Sequence, residues 1–229
     1  MKVFGLLIAL VFSVPLTRAD DPKPEAPMSE VVRETYEWSN IWWDHAEDTK
    51  LPRVLLIGDS ISCGYSPVVT KLLDGKVHVD RLGTSRSLND PVLIKETTMM
   101  LEDCRYVAIH FNNGLHGFHL TGPQYASALR RYVKLLQEHG RGARLIWGSS
   151  TPISKGNDTQ ALDAKNEVVT ARNALAAEIM EEQGIPINDL YQLVVGKAEL
   201  RSPDGYHYNG DGYAVLGKAV AEAVASAIK

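Results

Sequence analysis

The chain has 229 residues, of which 45% are hydrophobic and 23% are charged, and its formal net charge is −4. A chain of this length and composition is typical of a single globular domain with a substantial core. Lysines and arginines are scattered instead of forming a basic stripe, so the charge pattern excludes nucleic acid as an expected partner. Evidence of function must therefore come from local motifs.

The first 19 residues have the pattern of a secretory signal. A positive start at Lys2 is followed by an apolar stretch over residues 3–14 and by small residues that end at Ala19. We therefore expect residues 1–19 to be a signal peptide and the mature protein to be secreted or periplasmic. No later apolar run reaches membrane-spanning length, so no membrane partner is expected after cleavage.

Residues 20–50 are expected to be a leader followed by a tryptophan-rich flanking segment. The leader, residues 20–28, is rich in proline and charge. The flanking segment contains Trp38, Trp42 and Trp43, and it shows helical character over residues 30–38. We expect its aromatic rings to pack on the flank of the domain, and lining a sugar subsite is their alternative role.

Residues 51–229 alternate strand and helix patterns throughout. The predicted strands cover residues 54–57, 77–82, 106–111, 144–147 and 186–188. The predicted helices cover residues 66–73, 90–101, 122–139, 162–183 and 211–228. This alternation indicates an α/β fold, a single three-layer α/β/α domain with a five-stranded parallel sheet. Ligands bind at the carboxyl edge of such sheets, so the loops after the strands are expected to carry the function.

The first predicted strand ends in a small polar corner. Four aliphatic residues, 54–57, lead into Gly58, Asp59 and Ser60. Ser60 would lie just past the carboxyl end of the strand and ahead of a helix, where a serine is well placed to act as a nucleophile. The same residue types also form ordinary strand-to-helix turns in which Asp or Ser caps the helix. The motif by itself leaves both interpretations open.

A second polar stretch, near the end of the chain, favours the catalytic interpretation. A serine hydrolase needs a histidine that takes the serine proton and a carboxylate that fixes the tautomer of that histidine. Asp204 and His207 lie three residues apart and supply both groups. Tyr206, between them, is a candidate wall of a substrate subsite, and ordinary packing is the alternative.

Polar, glycine-containing loops also follow the other predicted strands. Gly83 and Arg86 follow the second strand, and residues 112–116 follow the third. Arg86 is a candidate for binding an acidic group on a substrate, and capping of a surface loop is the alternative. These loops are expected to converge on the edge of the sheet that carries Ser60.

The motifs together resemble those of the SGNH hydrolases, the family of GDSL-like esterases and lipases. Residues 58–60 and 204–207 match the family's first and last blocks in residue type, order and position, and Gly83 matches the second. The likeness covers nearly all of residues 52–229. The third block departs from the family's Gly-x-Asn-Asp, because residues 110–117 read His-Phe-Asn-Asn-Gly-Leu-His-Gly. This variant resembles carbohydrate-directed members of the family.

The resemblance implies a flavodoxin-like fold and a catalytic triad. Ser60 would attack an ester carbonyl, His207 would transfer the proton, and Asp204 would orient the imidazole. Independently of the resemblance, Asp59, Arg86 and Tyr206 are candidates for contacting the substrate. The mechanism requires no metal or organic cofactor.

The resemblance also implies an oxyanion hole. Its backbone donors would be the N–H groups of Ser60 and Gly83. Its side-chain donor is less defined because of the unusual third block. We expect Asn112 in this role, with Asn113 and His116 as alternatives.

The expected function is hydrolysis of acetyl or similarly small acyl esters, with a small-molecule or polysaccharide ester as the substrate. One alternative is a lysophospholipase or short-chain arylesterase with the same triad. Another is a carbohydrate-binding homologue that has lost activity. The two cysteines, Cys63 and Cys104, are expected to be free thiols, because they fall at opposite edges of the predicted sheet.

Overall fold

The structure is a computed structural model that describes residues 31–229. The expected signal peptide and leader, residues 1–19 and 20–28, lie outside the described residues. The central sheet has six strands in the order β1-β3-β2-β4-β5-β8. The strands are β1 Ser39–Trp42, β2 Arg53–Gly58, β3 His78–Thr84, β4 Tyr106–Phe111, β5 Arg144–Gly148, β6 Ser154–Lys155, β7 Asp158–Leu162 and β8 Ile187–Asn188. Of these, β6 and β7 form a separate two-stranded hairpin.

Helices cover both faces of this sheet. They are α1 Ser60–Leu73, α2 Pro91–Asp103, α3 Gly122–His139, α4 Asn166–Glu182, α5 Leu190–Val194 and α6 Gly210–Ala227. A 3-10 turn, Ala198–Leu200, precedes the last loop. The α/β class and the three-layer architecture predicted from the alternating patterns are confirmed.

Strand β2 shows how the sequence builds these layers. All six of its residues are buried, because side chains on a strand alternate between faces and both faces of this strand are covered. Val54 and Leu56 belong to the core cluster under α1 and α6, whereas Leu55 and Ile57 belong to the cluster under α2, α3 and α4. The continuous apolar run is therefore the signature of a central strand.

Parallel pairing joins β3, β2, β4, β5 and β8 in that order. Numbered along the chain, these five strands have the order 2-1-3-4-5, the flavodoxin-like arrangement. The strand order reverses between β2 and β4, and a crevice opens there at the carboxyl edge. The loops that follow these two strands begin at Asp59 and Asn112, so the fold places both at the crevice.

The prediction of five strands was wrong by one. Ser39–Trp42 forms an edge strand that pairs antiparallel with β3, Asn40 lying opposite Gly83. No helix forms over residues 31–38, contrary to the helical character inferred for residues 30–38. Short edge strands are specified by long-range pairing more than by their own residues, and this one pairs with a partner about 40 residues away.

Two helix boundaries also differ from the prediction. The first helix begins at Ser60 instead of residue 66, although Pro67 lies inside it. Proline cannot donate to the carbonyl four residues earlier, and the Ser66 hydroxyl donates to that Cys63 oxygen instead at 3.1 Å. The fourth helix begins at Asn166 because residues 158–162 form the second strand of the hairpin.

Cys63 and Cys104 are both free thiols, as predicted. Cys63 lies in α1 near the carboxyl edge of the sheet, and Cys104 ends α2 ahead of β4. Among residues 31–229, no helix combines the length and apolarity that a membrane span requires.

Candidate active site

Ser60 is positioned by the sharp turn between β2 and α1. It is the first residue of α1, and the Asp59 carboxylate caps this helix by accepting the Ile61 N–H at 2.9 Å. A first-turn N–H has no acceptor within its own helix, so the Ser60 N–H is available to another group. Gly58 makes the turn possible, because a Cβ there would lie 2.7 Å from the Ser62 Cβ.

Ser60, His207 and Asp204 form a continuous hydrogen-bonded chain. His207 Nε2 lies 2.8 Å from Ser60 Oγ, and its Nδ1 lies 2.7 Å from Asp204 Oδ2. An ionised carboxylate can only accept, so Nδ1 carries the ring proton and Nε2 accepts the serine hydroxyl. The fold brings these groups together from positions 147 residues apart in sequence.

The loop that carries Asp204 keeps its carboxylate ionised. Partial burial tends to raise the pKa of Asp204, but hydrogen bonds from the His207 and Tyr206 N–H groups and from the His207 ring outweigh this and lower it. Asp204 Oδ1 accepts both backbone donors at 2.8 Å. Oδ2 is thereby directed at the imidazole.

A cleft of about 480 Å³ opens in front of Ser60, a volume typical of small-molecule sites. Its walls combine aromatic rings with charged and polar groups. Its lining residues are Glu34, Trp38, Asp59, Ser60, Ile61, Leu115, His116, Phe118, Lys165, Tyr206 and His207. Of the three tryptophans predicted to pack on the flank, Trp38 faces this cleft, whereas Trp42 is 56% exposed on the edge strand.

Gly83 lies beside the turn that carries Ser60. It pairs with Gly58 in the sheet, and a Cβ at position 83 would lie 2.3 Å from Cys63 Sγ and 3.6 Å from the Asp59 carbonyl oxygen. Only a residue without a side chain allows β3 to approach the start of α1 this closely.

Asn112 and Asn113 both tie neighbouring loops together. Asn112 Nδ2 donates to the Gly148 carbonyl at 2.6 Å and to Ser150 Oγ at 3.1 Å. The amide has two N–H bonds, so an oxyanion role requires that it release one of these acceptors. Asn113 is buried and donates to the Arg86 carbonyl at 2.7 Å.

The remaining candidates divide between the cleft and the loops behind it. His116 lines the cleft and its Nδ1 lies 2.8 Å from Glu34 Oε1. Tyr206 also lines it, and its hydroxyl accepts from Lys165 Nζ at 3.0 Å. The Arg86 guanidinium instead pairs with Asp90 at 3.2 Å, outside the residues that line the cleft.

Arg172, on α4, holds the loop that forms one wall of the cleft. Its guanidinium donates to the carbonyls of Gly114 at 3.0 Å, His116 at 2.8 Å and Gly117 at 2.6 Å. Burial lowers the pKa of this guanidinium, and the ring of Phe118 lies 5.1 Å from its central carbon. Sequence analysis missed this residue, because an arginine in a helical pattern carries no signal of the loop it contacts.

No family model and no curated protein matches this sequence. Several solved structures do match this chain. Their sequence identities are low, so each match establishes a shared fold and nothing further. A lipase/acylhydrolase from Enterococcus faecalis has 20% identity and a TM-score of 0.63 and covers 78% of this chain and 98% of its own.

Two further structures span a similar share. The aryl esterase of M. smegmatis has 17% identity and a TM-score of 0.64, with coverage of 76% of this chain and 99% of its own. A carbohydrate acetylesterase family member from Sinorhizobium meliloti has 17% identity and a TM-score of 0.61, covering 78% and 99%. The chain thus has the fold of proteins named as GDSL-like lipases, acylhydrolases and acetylesterases.

Proposed function

We propose that this protein is an SGNH-type serine esterase that removes acetyl or similarly small acyl groups from carbohydrate esters, after export from the cytoplasm. The observation that carries the proposal is the hydrogen-bonded chain from Ser60 through His207 to Asp204, which opens into a cleft of small-molecule size. The fold shared with named esterases supports the same reaction class.

In this reaction His207 Nε2 takes the proton from Ser60 Oγ as the oxygen attacks the ester carbonyl. The imidazolium that forms is stabilised by the Asp204 carboxylate, which stays ionised because its pKa is lowered. His207 then returns the proton to the departing alcohol. Water, deprotonated by His207, then attacks the acyl-serine in the same way and releases the acid and free Ser60. General base catalysis of this kind contributes roughly 10²–10⁴-fold in rate.

In the proposed mechanism, the backbone N–H groups of Ser60 and Gly83 donate hydrogen bonds to the oxyanion. The Asn112 amide becomes a third donor when it releases Ser150 Oγ, which is the more distant of its two acceptors. Each donor contributes on the order of 10²–10³-fold. His116 suits a different role. With Nδ1–H directed at Glu34, its Nε2 is an acceptor, fit for a substrate hydroxyl.

The walls of the cleft favour a carbohydrate as the alcohol part of the ester. Trp38, Phe118 and Tyr206 offer ring faces on which a sugar can pack. Glu34 and Lys165 lie among these rings and can hydrogen-bond sugar hydroxyls. A neighbour of the same fold is named as a carbohydrate acetylesterase family member, which agrees with this choice.

The second candidate is a short-chain arylesterase or a lysophospholipase with the same triad. The same aromatic walls support it, since they also accommodate an aryl leaving group, and another neighbour is named an aryl esterase. Acetate release from acetylated polysaccharides, compared with turnover of aryl esters of increasing acyl length, separates these candidates. A carbohydrate esterase favours the acetylated polysaccharide and loses activity steeply as the acyl chain lengthens.

The reaction class is tested with Ser60→Ala. Removing the nucleophile should lower turnover of 4-nitrophenyl acetate about 10⁴-fold or more and leave the circular dichroism spectrum and the unfolding midpoint near those of the unaltered protein. Ser226→Ala, at an exposed position of α6, is the matched control and should keep full activity. Near-normal turnover by Ser60→Ala would end the proposal, and an inactive unaltered protein would favour the carbohydrate-binding alternative.

A further inference from the structure

A second cluster of chemically reactive side chains lies at the opposite edge of the sheet from Ser60. It consists of Asp44 and His45, in the connection between β1 and β2, and His78, the first residue of β3. We call it the strand-start cluster. One ligand atom from each of the three residues lies within 4.8 Å of those of the other two.

We propose that the strand-start cluster binds a divalent transition-metal ion, zinc in the first place. His45 Nδ1 lies 3.0 Å from Asp44 Oδ1, and His78 Nδ1 lies 3.8 Å from Asp44 Oδ2. Tetrahedral zinc with bonds of about 2.0–2.2 Å sets its ligand atoms roughly 3.3–3.6 Å apart. Small side-chain rotations would therefore bring the carboxylate and the two imidazoles to coordinating distances.

The surroundings of His78 are similar to those of a metal-bound histidine. The residue is 4% exposed, yet its Nε2 makes no hydrogen bond among the described residues. That nitrogen lies 3.4 Å from Asp48 Oδ2. Metal-bound histidines commonly direct their second ring nitrogen at a carboxylate, which fixes the ring and strengthens the ligand. A metal on Nδ1 would leave the Nε2–H of His78 directed at the Asp48 carboxylate in this way.

The carboxylate of Asp44 is held in place before any ion binds. The Asp44 N–H donates to Asp80 Oδ1 at 2.9 Å, and Asp44 Oδ2 accepts from the Val79 N–H at 3.2 Å. The nearby Arg53 guanidinium donates to Asp80 at 2.7 Å and to the carbonyls of Asp44 and His45 at 2.9 Å. Arg53 thus shapes the loop while Asp80 offsets its charge.

Two imidazoles and one carboxylate form the donor set that zinc, copper and nickel prefer, whereas calcium and magnesium favour oxygen alone. His45 has a side chain that is 67% exposed, so solvent reaches the fourth coordination position. The six residues of β2 separate this edge from Ser60 by about 20 Å. The ion therefore ties the connection before β2 to the start of β3 and takes no part in ester hydrolysis.

Calorimetric titration of chelator-treated protein with zinc chloride tests the site. The unaltered protein should bind one zinc per chain, and its thermal midpoint should rise with zinc concentration. Cobalt should give the visible absorption bands of a tetrahedral site. His45→Gln, at an exposed position, should weaken binding at least tenfold and reduce the midpoint shift at a given zinc concentration. Asp48→Asn should weaken binding 10–100-fold.

His139→Gln, at another exposed histidine, is the matched control and should leave the zinc affinity unchanged. The absence of saturable binding would overturn the proposal, as would an unchanged affinity in His45→Gln. Zinc binding that persists in His45→Gln and disappears in His207→Ala would place the ion on the triad and would also overturn it.

Discussion

His207 and His110 show how burial decides what a histidine can do in this protein. The His207 side chain is 40% exposed and has a partner on each ring nitrogen, a carboxylate on one and a hydroxyl on the other. His110 is fully buried in β4, where desolvation lowers its pKa to about 4. Its Nε2 lies 3.3 Å from Asn188 Nδ2, so the neutral ring accepts from that amide. The His207 ring can therefore exchange protons with the groups beside it, whereas the His110 ring is structural.

His110 should make the protein less stable as the pH falls. Its folded pKa, about 4, lies below the ordinary value of 6.5. Between these values the unfolded chain takes up a proton that the folded chain does not, so the free energy of unfolding falls as pH decreases from 6.5 to 4. The loss approaches about 3 kcal/mol. Denaturant titrations at pH 7 and pH 4.5 measure it.

His110→Gln keeps a polar group near Asn188 and cannot titrate, so it should lose less stability over this interval than the unaltered protein. The exposed His139→Gln variant is the control and should retain the full loss. An identical pH dependence in His110→Gln and the unaltered protein would contradict the assignment of this effect to the buried ring.

Among single residues, the sequence predicted the three side chains that the structure brings into one hydrogen-bonded chain. Ser60, Asp204 and His207 were found because a nucleophile, a base and a carboxylate in this order and at these positions are typical of a serine hydrolase. Asn112 was expected as the side-chain donor of the oxyanion hole, and its amide donates instead to the Gly148 carbonyl and to Ser150 Oγ. Such cross-loop contacts depend on which loops become neighbours, and local pattern does not carry that information.

At the scale of elements, the loop after β4 and helix α4 act as one unit. Residues 114–118 contribute Leu115, His116 and Phe118 to the cleft, and Arg172 of α4 holds this loop through three backbone carbonyls. The planar guanidinium serves all three at once, whereas a lysine ammonium is a single point charge. The geometry of one cleft wall therefore depends on a residue that does not line it.

Arg172→Lys should destabilise the protein and impair its activity together. Losing two of the three buried hydrogen bonds should lower the free energy of unfolding by about 1–3 kcal/mol, and the displaced cleft wall should lower kcat/KM. Denaturant titration and ester hydrolysis measure the two effects. Arg130→Lys, which alters an exposed pair with Glu182, is the control and should change stability by less than about 0.5 kcal/mol. Equal effects from both variants would contradict this role for Arg172.

Helix boundaries could be predicted from the sequence where capping residues and prolines near the helix end determine them. The stretches Asn89-Asp90-Pro91 and Thr121-Gly122-Pro123 carry helix-start signals in the sequence, and α2 and α3 begin within them. Helix α1 was predicted to begin at residue 66 but begins six residues earlier, because the Asp59 carboxylate caps it there and Pro67 is accommodated inside it.

At the scale of the whole molecule, strand order explains why distant motifs meet. The reversal of order between β2 and β4 opens the crevice, and the loops that enter it bring Ser60, Asn112 and His207 to the same edge. The alternating pattern predicted this edge. It could not predict β1, whose pairing with β3 completes the sheet and brings Trp38 to the cleft.

The whole-molecule account requires that this convergence activate one serine among all those in the chain. An alkyl phosphonate ester that reacts with activated serine hydroxyls measures this directly, with intact-mass and peptide analysis of the labelled protein. The account predicts one adduct per chain, located on Ser60, and its loss in His207→Ala because the base that activates the serine is gone. An unlabelled Ser60 in folded protein, or equal labelling in His207→Ala, would contradict it.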